Sequence, residues 1–158
     1  MHTLAQLLDR LAASDVEFVV IGGYAAVLHG SSQVTQDLEI CAVLSDQNVE
    51  KLRDALGDLD PRHRMTAQKL SFLDTPPAGT KIANLYLRTK LGVVDILTEV
   101  LGIGDFERLK SRAQTITIGG KSVRMIALDD LITAKEALAR DKDLITAKEL
   151  RLIAFRRP

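Results

Sequence analysis

Residues 19–40, VVIGGYAAVLHGSSQVTQDLEI, constrain this chain more than any other stretch. They read as an apolar strand, a Gly22-Gly23 turn, a short Ala-rich segment closed by Gly30, and a second apolar strand that carries Asp37 and Glu39. Residues two apart in a strand share a face, so Asp37 and Glu39 project together while Leu38 and Ile40 point the other way. Two neighbouring carboxylates repel and weaken the fold unless positive charge lies between them. A divalent cation is the usual answer. The glycine pair permits a tight strand-to-helix turn, lets a ligand approach the backbone, and offers the first amides of the next helix to a phosphate.

The rest of the chain alternates helix and strand patterns around this unit. Leu4, Leu7, Leu8 and Leu11 fall at helical spacing over residues 3–14, and Val16 to Ile21 is the β-branched run of a strand covered on both faces. The second strand is expected over residues 37–44, and Ser45 opens a helix to about Leu56. Residues 58–80, with Pro61, Pro76, Pro77 and Gly79, are expected to be irregular or mobile, with a short strand near 68–73. Residues 81–89 alternate, with Ile82, Asn84, Tyr86 and Arg88 on one face, and turn into residues 93–97 as a hairpin. That strand carries Asp95 between Val94 and Ile96, an awkward residue for a purely structural strand. Asp105 caps a further helix, and Gly119-Gly120 joins a small hairpin.

DLITAKE begins at Asp130 and again at Asp143. In one continuous helix that period would turn the second copy by roughly 220°, so two helices broken near residues 139–142 are expected, each with its Leu-Ile-Ala face inward. The expected fold is therefore α/β: a mixed β-sheet with flanking helices and a C-terminal helix pair. A length of 158 residues suits one domain, with a core over about residues 1–126 and the helix pair over about 127–155.

Lysine plus arginine and aspartate plus glutamate both number 21, a balance that argues against general DNA binding or a membrane surface. No apolar run approaches the roughly 20 residues of a membrane span, and the single cysteine, Cys41, rules out a disulfide framework. A soluble, cytoplasmic protein is expected.

Asp37, Glu39 and Asp95 form the candidate centre. Three hard oxygen ligands suit Mg²⁺, which favours carboxylates, water and substrate phosphates, with Mn²⁺ as a substitute. Asp37 and Glu39 would bind two ions, and Asp95 the ion nearest the attacking hydroxyl, whose proton it would help remove. The plainer reading is three unrelated acids on solvent-facing strand edges. The glycine turn just upstream of the acidic pair favours the site. Cys41 shares the face of the acids but lacks a paired histidine, and His29 reads as structural.

This ordered set, Gly22-Gly23, Asp37-Leu38-Glu39 and Asp95, resembles the DNA polymerase β-like nucleotidyltransferase superfamily, whose motif is a glycine pair, an Asp-x-Asp or Asp-x-Glu pair and a later strand acid. GGYAAVLHG at 22–30, Thr35, VDIL at 94–97 and the helix pair at 131–150 are similar to small bacterial members related to AbiEii-type and minimal nucleotidyltransferases. The resemblance implies Mg²⁺-dependent transfer of a nucleotidyl group from an NTP to a protein, tRNA or small-molecule acceptor, and a cognate toxin or antitoxin protein as partner. It places Gly22, Gly23, Ser31, Lys135 and Arg140, with Lys142, around the nucleotide. The alternative is a catalytically weak module serving as the binding or antitoxin half of such a pair. Two departures stand out: Gln33 and Gln36 occupy a connector where relatives have a basic residue, and Glu39 replaces the commoner second aspartate.

Overall fold

The computed structural model describes residues 2–157. Its centre is a seven-stranded mixed sheet of order β3-β4-β5-β2-β1-β9-β8. In chain order the strands are β1 (Val19–Ile21), β2 (Asp37–Cys41), β3 (Arg62–His63), β4 (Asn84–Thr89), β5 (Gly92–Leu97), β8 (Gln114–Ile118) and β9 (Lys121–Met125). The short strands β6 (Glu99–Val100) and β7 (Gly104–Asp105) form a separate pair. β2 runs parallel to β5 and antiparallel to β1, while β4 returns antiparallel to β5.

The residues of β2 and β5 that alternate with the acids, Leu38, Ile40, Val94 and Ile96, are wholly buried. They share one core with Leu7, Leu8 and Leu11 of α1 (His2–Ala12) and Leu52 and Leu56 of α3 (Asp46–Leu56). Each such leucine contributes roughly 1.5–3 kcal/mol by leaving water. The opposite face carries the acids and meets α2 (Gly22–Leu28), which packs on β1, β2 and the C-terminal helix α5 (Leu128–Leu138).

Local capping follows the sequence closely. Ser45 accepts a hydrogen bond from the Asn48 amide and starts α3, and Asp105 does the same for Arg108 at the start of α4 (Phe106–Arg112). The glycine pair forms the first turn of α2 itself instead of a loop before it. Strand β2 ends at Cys41, three residues short of expectation, because the next residues depart toward the Ser45 cap.

Residues 58–80 are irregular, as expected, yet they are tied down. Phe72 is fully buried, Arg53 donates to the carbonyls of Phe72 and Pro76 at 2.7 Å each, and His63 bonds the Thr75 carbonyl at 2.7 Å. The strand expected near 68–73 is reduced to one bridge, Arg62 with Ser71.

The two DLITAKE copies lie on separate helices, α5 and α6 (Asp141–Arg156), broken where Ala139 takes a left-handed φ of 58°. They do not bury the same face. In α5, Leu131, Ile132 and Ala134 are inward; in α6, Leu144 and Ile145 are exposed, and Asp143, Thr146, Ala147 and Leu150 are inward. The aspartate is buried in both copies, Asp130 against Arg112 and Asp143 against Arg140 and Lys135, so the copies differ in their Leu-Ile pair. No helix among the described residues is long and apolar enough to cross a membrane.

Candidate active site

Register assembles the acids. Glu39 on β2 lies directly opposite Asp95 on β5, and Asp95 directly opposite Tyr86 on β4. Asp37 is opposite Val93, which in turn faces Arg88. Directly paired residues share a sheet face, so the three acids stand on one surface in two adjacent rows.

Glu39 is wedged against the glycine pair. A Cβ built on Gly22 would run into the carboxyl end of Glu39, which would have to move, and Gly22 has φ +66°, so a side chain there is strained. At Gly23 a Cβ would meet Thr35 Oγ1 at 3.0 Å. Burial pushes the Glu39 carboxyl above the ordinary range; Lys135 and Arg140 oppose this, and the charges of Asp95 and Asp37 add to it.

A cleft of about 380 Å³ opens beside Asp37 and Glu39. Gln33 and Gln36 of the connector line it together with Lys135, Arg140 and Lys142 of the C-terminal helix pair. Two of these cations are set by an acid that sequence reasoning missed. Asp143, fully buried, receives Arg140 Nε at 2.6 Å and Arg140 Nη2 at 3.2 Å, and Lys135 Nζ lies 3.4 Å away. Although burial works against ionisation, the two cations hold the Asp143 carboxyl below its ordinary range. The clue was available in the repeat, where the second aspartate follows the first lysine. A second hollow of about 230 Å³ adjoins Glu39 on its other side, lined by Tyr86, Leu97, Leu101 and Leu138 together with Gly22 and Lys135.

Arg64 is the other residue that sequence reasoning missed. It grips both carboxylate oxygens of Asp95, with Nη2 to Oδ2 at 2.6 Å and Nε to Oδ1 at 3.2 Å, and its guanidinium lies 5.5 Å from the centroid of the Tyr86 ring. Burial holds the Asp95 carboxyl above its ordinary range, with Arg64 pulling it down and Asp37 pushing it up. Arg64 lies in the irregular segment, where no periodicity marks a direction for a side chain.

The acids suit a hard divalent ion by their chemistry and by the side they share. Asp37 and Glu39 open to the cleft, whereas Arg64 covers Asp95, and among the described residues no three acid, histidine or cysteine groups converge as a ready cage. An ion that keeps waters and takes ligands from substrate phosphates fits such an open set.

Other candidates have different surroundings. Ser31 is buried with its hydroxyl on Glu149 of α6, and Glu149 also accepts from the Ser32 amide at 3.0 Å and the Ser32 hydroxyl at 2.6 Å. Ser31 therefore fastens the connector to the helix pair and does not line the cleft. His29 donates through Nε2 to the Ile126 carbonyl at 2.8 Å and receives Arg157 on Nδ1, a structural arrangement in which burial lowers its pKa. Cys41 is fully buried, and burial pushes its thiol up to about 12, so it is no nucleophile.

Solved structures share this architecture. A putative nucleotidyltransferase from Thermotoga maritima (TM1012) is 17% identical, covering 99% of this chain and 92% of its own, with TM-score 0.57. The lincosamide antibiotic adenylyltransferase LnuA, solved with lincomycin, is 16% identical over 96% of both chains, with TM-score 0.60. ANT(2")-Ia in complex with adenylyl-2"-tobramycin is 13% identical over 94% of this chain and 97% of its own, with TM-score 0.51. No curated protein matches the sequence. At these identities the likeness is one of fold, and the family comes from the sequence itself: a model described as nucleotidyl transferase of unknown function (DUF2204) matches residues 1–154, and the chain belongs to that family.

Proposed function

We propose that this nucleotidyltransferase moves an NMP group from an NTP, with ATP as the first candidate, to an acceptor hydroxyl with the help of Mg²⁺. The observation that carries the reading is the pairing of Glu39 with Asp95 across β2 and β5, with the Gly22 backbone against Glu39 and Lys135 and Arg140 across the same cleft. Asp37, Glu39 and Asp95 would hold the metal, Mn²⁺ substituting for Mg²⁺. A divalent ion bound there offsets triphosphate charge and favours ionisation of the attacking hydroxyl.

The chain's own residues have distinct parts. Gly22 lets Glu39 stand against the backbone, and Gly23 lines the cleft in which a phosphate would lie. Lys135 and Arg140, held by Asp143, face the negative charge that grows on the leaving pyrophosphate. The polar cleft takes the triphosphate and the adjoining hollow, where Tyr86, Leu97, Leu101 and Leu138 stand beside Asn84 and Glu99, takes the nucleoside. The acceptor oxygen attacks the α-phosphorus, the bond to the bridging oxygen breaks, pyrophosphate leaves, and Asp95 takes the hydroxyl proton once Arg64 has released it.

One observation favours a second reading. With Arg64 on both oxygens of Asp95, the third acid is engaged, as befits a catalytically weak nucleotidyltransferase-like module that binds a cognate toxin or antitoxin protein. The two separate in one experiment. Calorimetry with Mg²⁺ and each NTP in turn is expected to show heat for at least one NTP with the native chain and none with Asp37→Ala. Incubation with that labelled NTP and a lysate then reveals which protein, RNA or small molecule gains the label. Absence of heat with every NTP overturns the enzyme reading. Lincomycin, bound in the LnuA structure, and tobramycin, whose adenylyl-2" derivative is bound in that of ANT(2")-Ia, are acceptors to include.

A further inference from the structure

The sheet face that bears the acids does not stop at Asp95. Extending the two rows across β4 to the edge strand β3, the first runs Asp37, Val93, Arg88, Arg62, and the second runs Glu39, Asp95, Tyr86, ending at Arg64, whose amide bonds the Tyr86 carbonyl at 3.0 Å. Arg62, Arg64 and Arg88 therefore project on the same side as the three acids. They line a groove of about 310 Å³ with Lys69, Lys90 and Asp60. Five cations against a single lining acid, in a protein whose formal net charge is zero, make this edge strongly positive.

These cations are only partly spent on the fold. Arg62 pairs with Asp60 at 3.1 Å and donates to the Lys69 carbonyl at 3.2 Å, with about half of its side chain exposed. Lys69 donates to the Arg64 carbonyl, and Lys90 contributes to the charge around Asp58. Arg88 is exposed and has no ion pair among the described residues. Arg64 joins the groove to the centre, because it lines the one and grips Asp95 in the other.

We infer that this groove is the acceptor subsite and that the acceptor carries phosphate. Its phosphate lies on Arg62, Arg88 and Lys90, and Arg64 exchanges Asp95 for a phosphate oxygen, which frees Asp95 to face the acceptor hydroxyl. A bidentate guanidinium can make that exchange without losing its own hydrogen bonds, since phosphate matches its fork as carboxylate does. The same charge disfavours a polyamine acceptor, whose ammonium groups would meet five cations. The inference deepens the nucleotidyl-transfer reading and rests on it. Phosphate of this kind comes either from a nucleic-acid strand or from a phosphorylated small molecule.

The test uses the full chain and two probes, a short labelled single-stranded RNA followed by anisotropy and ribose 5-phosphate as its competitor. The native chain is expected to bind at least one of them, more weakly as salt rises, and the double variant Arg88→Glu/Lys90→Glu to bind it about tenfold more weakly or worse. Both substituted side chains line the groove, outside the acids and the glycine turn, so the Mg²⁺-dependent heat with NTP should be unchanged in the variant. RNA binding that ribose 5-phosphate does not displace assigns the subsite to a nucleic-acid strand, and displacement or binding of the sugar phosphate alone assigns it to a small molecule; each supports the inference. If neither probe binds the native chain, or the double variant binds as well as the native chain, the inference is overturned. Loss of the NTP heat in the native chain is a separate result, and it overturns the nucleotidyl-transfer reading instead.

Discussion

Arg64 and Asp95 are joined through two guanidinium nitrogens and both carboxylate oxygens, at 2.6 and 3.2 Å, across a sequence separation of 31. The acid is almost wholly buried and the arginine side chain is a quarter exposed. The pair thus sits where a charge left alone is costly but where its arginine can still reach another anion.

Arg64→Ala should destabilise the protein by about 1–3 kcal/mol, the cost of leaving a buried charged group without its partner. The loss should depend on pH. Burial already raises the folded pKa of Asp95, and without Arg64 it rises further. A carboxyl whose folded pKa is raised costs stability as pH climbs from its unfolded value through its folded one. The variant should therefore lie closest to the native protein in acid and furthest from it at neutral pH. Thermal melts at several pH values measure this, and a pH-independent difference contradicts it.

Asp143→Ala removes the shared acid of Lys135 and Arg140 and leaves two cations facing each other at the cleft. The expected cost is about 3 kcal/mol, at the low end for a broken buried pair because Arg140 is largely exposed. In a chain of this size that lowers the melting temperature by about 6–12 °C. The folded pKa of Asp143 is depressed, so in the native protein this contribution is present at neutral pH and fades as acid takes the pH down through that folded value. Melts of the native protein and the variant should converge at low pH.

Gly22→Ala and Gly23→Ala should differ sharply. At Gly22 the new methyl group meets Glu39 Oε2 at 2.3 Å on a backbone with φ +66°, whereas at Gly23 it meets the Thr35 hydroxyl at 3.0 Å without that backbone constraint. The first should cost about 1–3 kcal/mol from backbone strain alone and displace Glu39; the second should cost less. Urea unfolding combined with NTP calorimetry separates the two effects, and equal behaviour of the variants would refute the wedge of Glu39 against Gly22.

Ser31→Ala is expected to lower stability by about 1 kcal/mol and leave NTP affinity unchanged, because the hydroxyl is bound to Glu149 and not to the cleft. A loss of NTP affinity without a change in melting would instead place Ser31 at the nucleotide.

Much of this molecule is written locally. The period of two in Asp37-Leu38-Glu39-Ile40 fixed which side chains face together, Gly22 fixed a turn with a positive φ that favours glycine, and Ser45 and Asp105 fixed two helix starts. The resemblance to nucleotidyltransferases followed from Gly22-Gly23, Asp37-Leu38-Glu39 and Asp95 in that order, and strand parity and capping are legible because they depend on near neighbours.

The tertiary structure decided what lies against these elements. The repeated DLITAKE predicted one inward face twice, yet α5 buries Leu131 and Ile132 while α6 exposes Leu144 and Ile145, although both copies bury their aspartate, and Asp143 meets Lys135 of the preceding helix. Ser31 stands beside the glycine turn in sequence but is claimed by Glu149, at a separation of 118. Arg64 lies in a segment without periodicity and is aimed at Asp95 only because β3 pairs with β4. Ion pairs of this kind depend on which distant segments the sheet order brings side by side. A local pattern carries no record of that, so the sequence by itself determined the acids and the face they share, and tertiary packing alone decided that Arg64 covers Asp95 and that Asp143 holds Lys135 and Arg140.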